Sequence, residues 1–174
     1  RAAEKPLADA APDQAPADLN ATVFDIVRSE GPLWAKKGVS VRTDLRHAIP
    51  PLHFDRAALR QVLLNLLRNA AEAMTKGGEV VVATRRDYVS EDGKLCVEII
   101  VKDNGPGIPQ RVLDRLFQPV RSAKGSAHAG LGLHIVRNLV MQMGGIVQCH
   151  STAARGTLFQ ILLPQPSTES QPNA

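Results

Sequence analysis

Three short segments, in this order, constrain the chain more than any other feature. They are Asn65-Leu66-Leu67-Arg68-Asn69, then Asp103-Asn104-Gly105-Pro106-Gly107-Ile108, then Gly130-Leu131-Gly132-Leu133. The first lies inside an apolar-periodic run free of Gly and Pro, so Asn65 and Asn69 fall on one helical face. The second closes a β-branched run with a turn that needs glycine. The third opens another helical pattern. Each alone is a common local pattern. Together, two glycine-rich turns and a helix face with paired amides make a cradle for a nucleotide and its metal.

Around these segments the pattern predicts a regular succession of elements. Leu19 to Lys37 has helical spacing (Val23, Ile26, Val27, Leu33, Trp34), expected to break at Gly31-Pro32 and to stop at Gly38. Val39 to Leu45 alternates like a strand with one wet face. Asp55 is the predicted N-cap of a long helix from Arg56 to Met74, whose apolar face carries Leu59, Val62, Leu63, Leu66, Leu67 and Ala70. Glu79 to Tyr88 and Leu95 to Lys102 read as antiparallel strands joined by a turn at Glu91-Asp92-Gly93. Pro109 to Leu116 is a short helix. Gln118 to Ala129 has no periodicity, and a loop that long suggests a lid, mobile without ligand. Leu131 to Met143 is helical, and Ile146–His150 with Leu158–Leu163 form a last strand pair. Helices grouped against a mainly antiparallel sheet give an α+β, two-layer sandwich.

A chain of 174 residues fits one such domain plus tails. Residues 1–17, rich in Ala and Pro, read as a linker, 18–164 as the domain, and 165–174 as a disordered tail. The chain begins with Arg1 and shows no signal-peptide pattern, so it is expected to be a piece of something longer. No apolar run approaches membrane-spanning length, and no membrane contact is expected of this piece. The net charge of +4 is spread out, without a basic helical stripe interleaved with aromatics, which argues against a nucleic-acid partner. Cys96 and Cys149 lie in apolar strand-like runs and read as reduced core residues in a cytoplasmic protein. No heptad pair is present, and the piece is expected to be monomeric.

The residue chemistry points the same way. Asp103 follows a hydrophobic strand, where a bare carboxylate is costly, so it must accept hydrogen bonds. It could accept from the exocyclic amine of adenine, or act as an Asx-turn residue capping the strand. Gly105 and Gly107 permit positive φ and close backbone approach. Gly130 and Gly132 precede a helix, where free N–H groups suit phosphate oxygens. Asn65 and Asn69 are neutral oxygen donors of the kind that hard Mg²⁺ takes, though a satisfied polar pair on a helix would look the same. Lys124 and Arg121 could reach a terminal phosphate or simply be solvated, and His128 reads as exposed.

The ordered trio resembles the ATP-binding domain of sensor histidine kinases, in the wider group that includes gyrase, the Hsp90 chaperones and MutL. The match runs from about Ala17 to Pro164. The segments correspond to the N box, G1 box and G2 box, with Leu116-Phe117-Gln118-Pro119 as an F box. Gly156-Thr157-Leu158-Phe159 and Ile161-Leu162-Leu163-Pro164 correspond to the last strand. The resemblance implies ATP and Mg²⁺ as ligands, with Asn69 on the metal and Asn65 as second ligand or phosphate contact. It implies that Asp103 selects adenine, that Thr157 lies near the base, and that Gly105, Gly107, Ile108, Gly130, Leu131, Gly132 and Leu133 line the nucleotide. Lys124 in the lid would neutralise the γ-phosphate. Asn69-Ala70-Ala71-Glu72-Ala73 matches the form found in nitrogen-regulation and oxygen-sensing kinases.

Where ATP-hydrolysing relatives carry a water-activating Glu, this chain has Asn65, which cannot take a proton usefully at neutral pH. That argues for phosphoryl transfer over hydrolysis. None of the five histidines is followed by an acid, as the family's phospho-acceptor is; the successors are Ala48, Phe54, Ala129, Ile135 and Ser151. The expected partners are therefore a separate dimerisation and phospho-acceptor helical domain and, indirectly, a response regulator. Val120 and Ala129 depart from the family's lid pattern and bear on how the lid closes. An ATPase or Ser/Thr protein kinase of the same fold, or a non-catalytic nucleotide-sensing module, are the alternatives.

Overall fold

The computed structural model describes residues 15–45, 47–118 and 131–165. Its elements are α1 (Leu19–Ala35), β1 (Val39–Asp44), α2 (Arg56–Ala73), β2 (Gly78–Val89), β3 (Leu95–Asp103), α3 (Gln110–Leu113), α4 (Leu131–Gln142), β4 (Ile146–Thr152) and β5 (Gly156–Pro164). They build a five-stranded sheet in the order β1-β2-β3-β5-β4. Among the described strands only β1 and β2 run parallel, and α2 is the crossover that parallel neighbours need. The remaining pairs are antiparallel. Helices α1, α2 and α4 share one apolar core with one face of the sheet, the two-layer α+β arrangement expected from the sequence.

Helix α2 begins where Asp55 Oδ1 accepts from the backbone N–H groups of Ala57 and Ala58, at 2.8 and 3.0 Å. Leu59, Val62, Leu63, Leu66, Leu67 and Ala70 are all buried against the sheet. Each such aliphatic side chain contributes about 1.5–3 kcal/mol on burial. Gly77, at φ 82°, turns the chain out of the helix into β2; a Cβ there would stand 2.7 Å from the Gly38 carbonyl oxygen.

Helix α1 corrects one expectation: it runs unbroken through Gly31-Pro32. Pro32 lies in the last turn, and Val27 and Trp34 are buried on either side of it. Their packing holds the helix across one missing backbone bond. Asn20 ties α1 to the sheet by accepting from Thr84 Oγ1 at 2.6 Å and donating to the His47 carbonyl at 2.8 Å.

Helix α3 is a single turn whose N-cap is Pro109. Cys96 is buried, Cys149 half-buried, and both are free thiols. No described helix is long and apolar enough to cross a membrane. Beyond Gln118 the expected lid, with Arg121, Lys124 and His128, lies outside the described residues, as does Gly130 of the third segment.

Candidate functional site

The site lies at one end of the sheet, on the face that the helices cover. Alternation along β3 puts Asp103 on the same face as Ile99 and Val101, whose side chains enter the core. Ser151 and Thr157 are cross-strand partners in β4 and β5, on the same face as Cys149 and Phe159. Three polar side chains thus continue the apolar rows to the sheet's edge.

Asp103 is buried and its Oδ1 accepts two backbone bonds, from Gly105 N–H at 2.9 Å and from Thr157 N–H at 3.2 Å. The first is a local turn bond to the second residue on; the second comes from a strand far along the chain. Both readings of Asp103 therefore share one side chain: Oδ1 shapes the turn, and Oδ2 takes neither bond.

The two G1 glycines differ in what requires them. Gly107 sits at φ 76°, and a Cβ there would stand 2.5 Å from the Thr152 carbonyl oxygen. Gly105, though free to do so, does not adopt a positive φ. A Cβ on Gly105 would instead stand 3.0 Å from both Asp103 Oδ1 and Met74 Cγ, so its smallness serves close packing. Gly156, at φ 75°, lies so tightly on the Asp103 backbone that a Cβ would overlap the Asp103 carbonyl oxygen. Asn104 completes the loop by accepting from Glu79 N–H through Oδ1 at 2.9 Å.

Across the site, α2 presents Asn65 and Asn69 to the first turn of α4. A Cβ on Gly132 would stand 3.8 Å from the amide oxygens of both asparagines. The N-box and G2-box segments, remote in sequence, thus converge. Asn65 is buried, and among the described residues its Nδ2 has no hydrogen-bond partner. Leaving such a donor unpaired costs about 1–3 kcal/mol. A buried amide with an open donor beside two neutral amide oxygens fits a hard cation shared with phosphate oxygens. Leu133 is a core residue, so what it can offer a ligand is its backbone. Helix α4 begins at Leu131.

Ile108 is half-buried, and its N–H donates to Ser151 Oγ at 2.8 Å. Ser151 Oγ also donates to the Gly156 carbonyl at 3.1 Å and lies 3.0 Å from Thr157 Oγ1. Ser151, Asn104 and Met74 are the residues that sequence reasoning missed. Only their long-range partners give them a role. Cys149 borders the site as well: burial, with the nearby Asp103 charge second, pushes its thiol up to about 12.

Residues 54–167 match the family model described as histidine kinase-, DNA gyrase B- and HSP90-like ATPase. The chain is 33% identical over 166 residues to the sensory histidine kinase/phosphatase NtrB of Rhizobium meliloti, covering 87% of this chain and 42% of that protein. It is 39% identical over 126 residues to the NtrB of Escherichia coli, covering 70% and 36%. The chain thus spans less than half the length of these relatives. Among solved structures, full-length ShkA in complex with AMPPNP superposes with a TM-score of 0.71 at 28% identity, over 91% of this chain and 33% of that one. The catalytic domain of histidine kinase ThkA superposes with a TM-score of 0.72 at 23% identity, over 86% and 94%, and shares the fold. The chain belongs to the histidine kinase-, DNA gyrase B- and HSP90-like ATPase family, as an ATP-binding catalytic domain of the sensor histidine kinase branch.

Proposed function

We propose that this domain, residues 18–164, holds Mg²⁺ and ATP and presents the γ-phosphate to a histidine on a separate helical domain, from which a response regulator would be served. The observation that carries this reading is the convergence of Asn65, Asn69 and Gly132. It gathers two neutral oxygen ligands, one open amide donor and the start of a helix in one place. In this reading Asn69 holds the metal and Asn65 is its second ligand or a phosphate contact. The bound ion would supply charge neutralisation on the phosphate oxygens.

The chain's own residues do the rest. Asp103 Oδ2 accepts from the adenine amine, while Oδ1 keeps the loop in place. The glycines of the G1 turn let backbone approach the nucleotide. The N–H groups opening α4 face phosphate oxygens, helped by the helix dipole. In this reading Lys124, which lies outside the described residues, supplies the cation that neutralises the γ-phosphate. Nothing at position 65 can abstract a proton from water, so the γ-phosphate is kept for an acceptor nitrogen brought in from outside.

Titration calorimetry of the wild type and Asn69→Ala, with and without Mg²⁺, tests this reading. The wild type should bind ATP more tightly with Mg²⁺, and Asn69→Ala should lose that gain while keeping its melting temperature. Full Mg²⁺ dependence in the variant would move the metal role elsewhere.

A further inference from the structure

Ser151 has one hydroxyl hydrogen and two lone pairs, and three groups crowd its Oγ. Ile108 N–H can only donate to it, and the Gly156 carbonyl can only accept from it. With the hydrogen directed to Gly156, the remaining lone pair faces Thr157 Oγ1, so the Thr157 hydroxyl must be the donor in that contact. This is the one placement of hydrogens that satisfies all three contacts together. Its consequence falls on Thr157. With its hydrogen committed to Ser151, Thr157 Oγ1 keeps only lone pairs for anything else. Asp103, tied to the Thr157 backbone, likewise offers only lone pairs.

We infer that Ser151 is a specificity-determining positioning residue: by holding the Thr157 hydroxyl as an acceptor, it makes the base-reading edge acceptor-only. Such an edge takes a purine that carries an amine donor, as adenine does. It repels one that presents a carbonyl oxygen at the same place, as guanine does. Through Ile108 the same hydroxyl anchors the end of the G1 loop. The Thr152 carbonyl lies close against that loop at Gly107, so the reader and the loop adjoin. Ser151 touches no nucleotide in this scheme and acts through Thr157. The inference rests on the nucleotide-binding reading above and adds the source of its base selectivity.

The test measures ATP and GTP affinities by titration calorimetry, with melting temperatures alongside, for wild type, Ser151→Ala, Ser151→Thr and Thr157→Val. Losing one ordering hydrogen bond should narrow the ATP-over-GTP preference roughly two- to tenfold in Ser151→Ala. Ser151→Thr, which keeps the hydroxyl, should restore it. On the Thr157→Val background, Ser151→Ala should narrow the preference no further. An unchanged preference in a folded Ser151→Ala would overturn the inference, as would an equal loss on the Thr157→Val background. Should Ser151→Ala not fold, Ser151→Cys keeps the side-chain size with a weaker acceptor; it must narrow the preference, and failure to do so counts equally against the inference. A wild type that binds ATP and GTP equally would overturn the adenine assignment and this inference with it, whereas one that binds neither would overturn the nucleotide reading itself.

Discussion

The backbone N–H of Thr157 donates to Asp103 Oδ1 at 3.2 Å, joining two residues 54 positions apart. That bond holds the start of β5 on the end of β3 and commits one carboxylate oxygen to structure. The other takes neither bond; in the proposed function it accepts from the adenine amine, and a charge-assisted bond there is worth more than a neutral one.

Replacing Asp103 by Asn should therefore weaken ATP binding by about 1.5–3 kcal/mol, the range for hydrogen bonds to charged groups. GTP binding should change less, so the preference between the two collapses. Calorimetric titration of both nucleotides decides the matter. An Asn variant that still favours ATP as strongly as the wild type would remove Asp103 from base recognition.

Two glycines should respond differently to alanine. Gly107→Ala forces a left-handed alanine into contact with the Thr152 carbonyl, and should cost about 2 kcal/mol or more. Gly31 lies inside α1, and nothing beyond its chain neighbours and the helix's own backbone stands within 4 Å of where its Cβ would go. The Pro32 ring that follows crowds a Cβ on a helical residue, so Gly31→Ala should gain less than the roughly 0.5–1 kcal/mol of an ordinary helical replacement. Urea denaturation reads both. A stabilised Gly107→Ala would show that the G1 turn is not held as described.

These two positions also show what could be read from the chain. The helix run from Arg56, its Asp55 cap and its apolar face were legible because each depends on neighbours within a turn or two. The strand pairs were legible for the same reason, through alternation and a short turn. Gly31-Pro32 misled because the local signal for a break is real, while the buried Val27 and Trp34 that override it act through tertiary packing. At the site, Asn65, Asn69, Asp103 and the glycines stood out as residue types in a fixed order. Ser151 did not, since a serine in a strand has no local mark of its partners Ile108, Gly156 and Thr157. The different reasons for Gly105 and Gly107 could be told apart only from the atoms around them.

The half-buried Cys149 makes stability depend on alkaline pH. Burial, with Asp103 second, lifts its thiol from 9.0 to about 12, so the folded state holds the proton after the unfolded chain has released it. This contribution is fully present below about pH 9 and is lost as pH rises toward 12. Cys96 is shifted in the same direction, chiefly by burial. Melting temperature should thus fall above pH 9, and Cys149→Ala should flatten that fall while leaving the profile near neutrality unchanged in shape. An identical alkaline limb in the variant would show that Cys149 does not titrate this way.

In the proposed function the domain keeps the γ-phosphate of its ATP from water and gives it to an acceptor from outside. The most direct measurement follows γ-labelled ATP incubated with this chain and Mg²⁺, alone and with the parent kinase's helical acceptor domain supplied in trans. Alone, the chain should neither label itself nor release phosphate above background. It lacks an acceptor histidine in a suitable motif, and loss of a placed base typically removes about 10²–10⁴-fold of rate. With the acceptor domain present, label should appear on that domain, and Asn69→Ala should abolish it. Brisk multiple-turnover release of phosphate by the chain alone, with no transfer to the acceptor domain, would contradict the account.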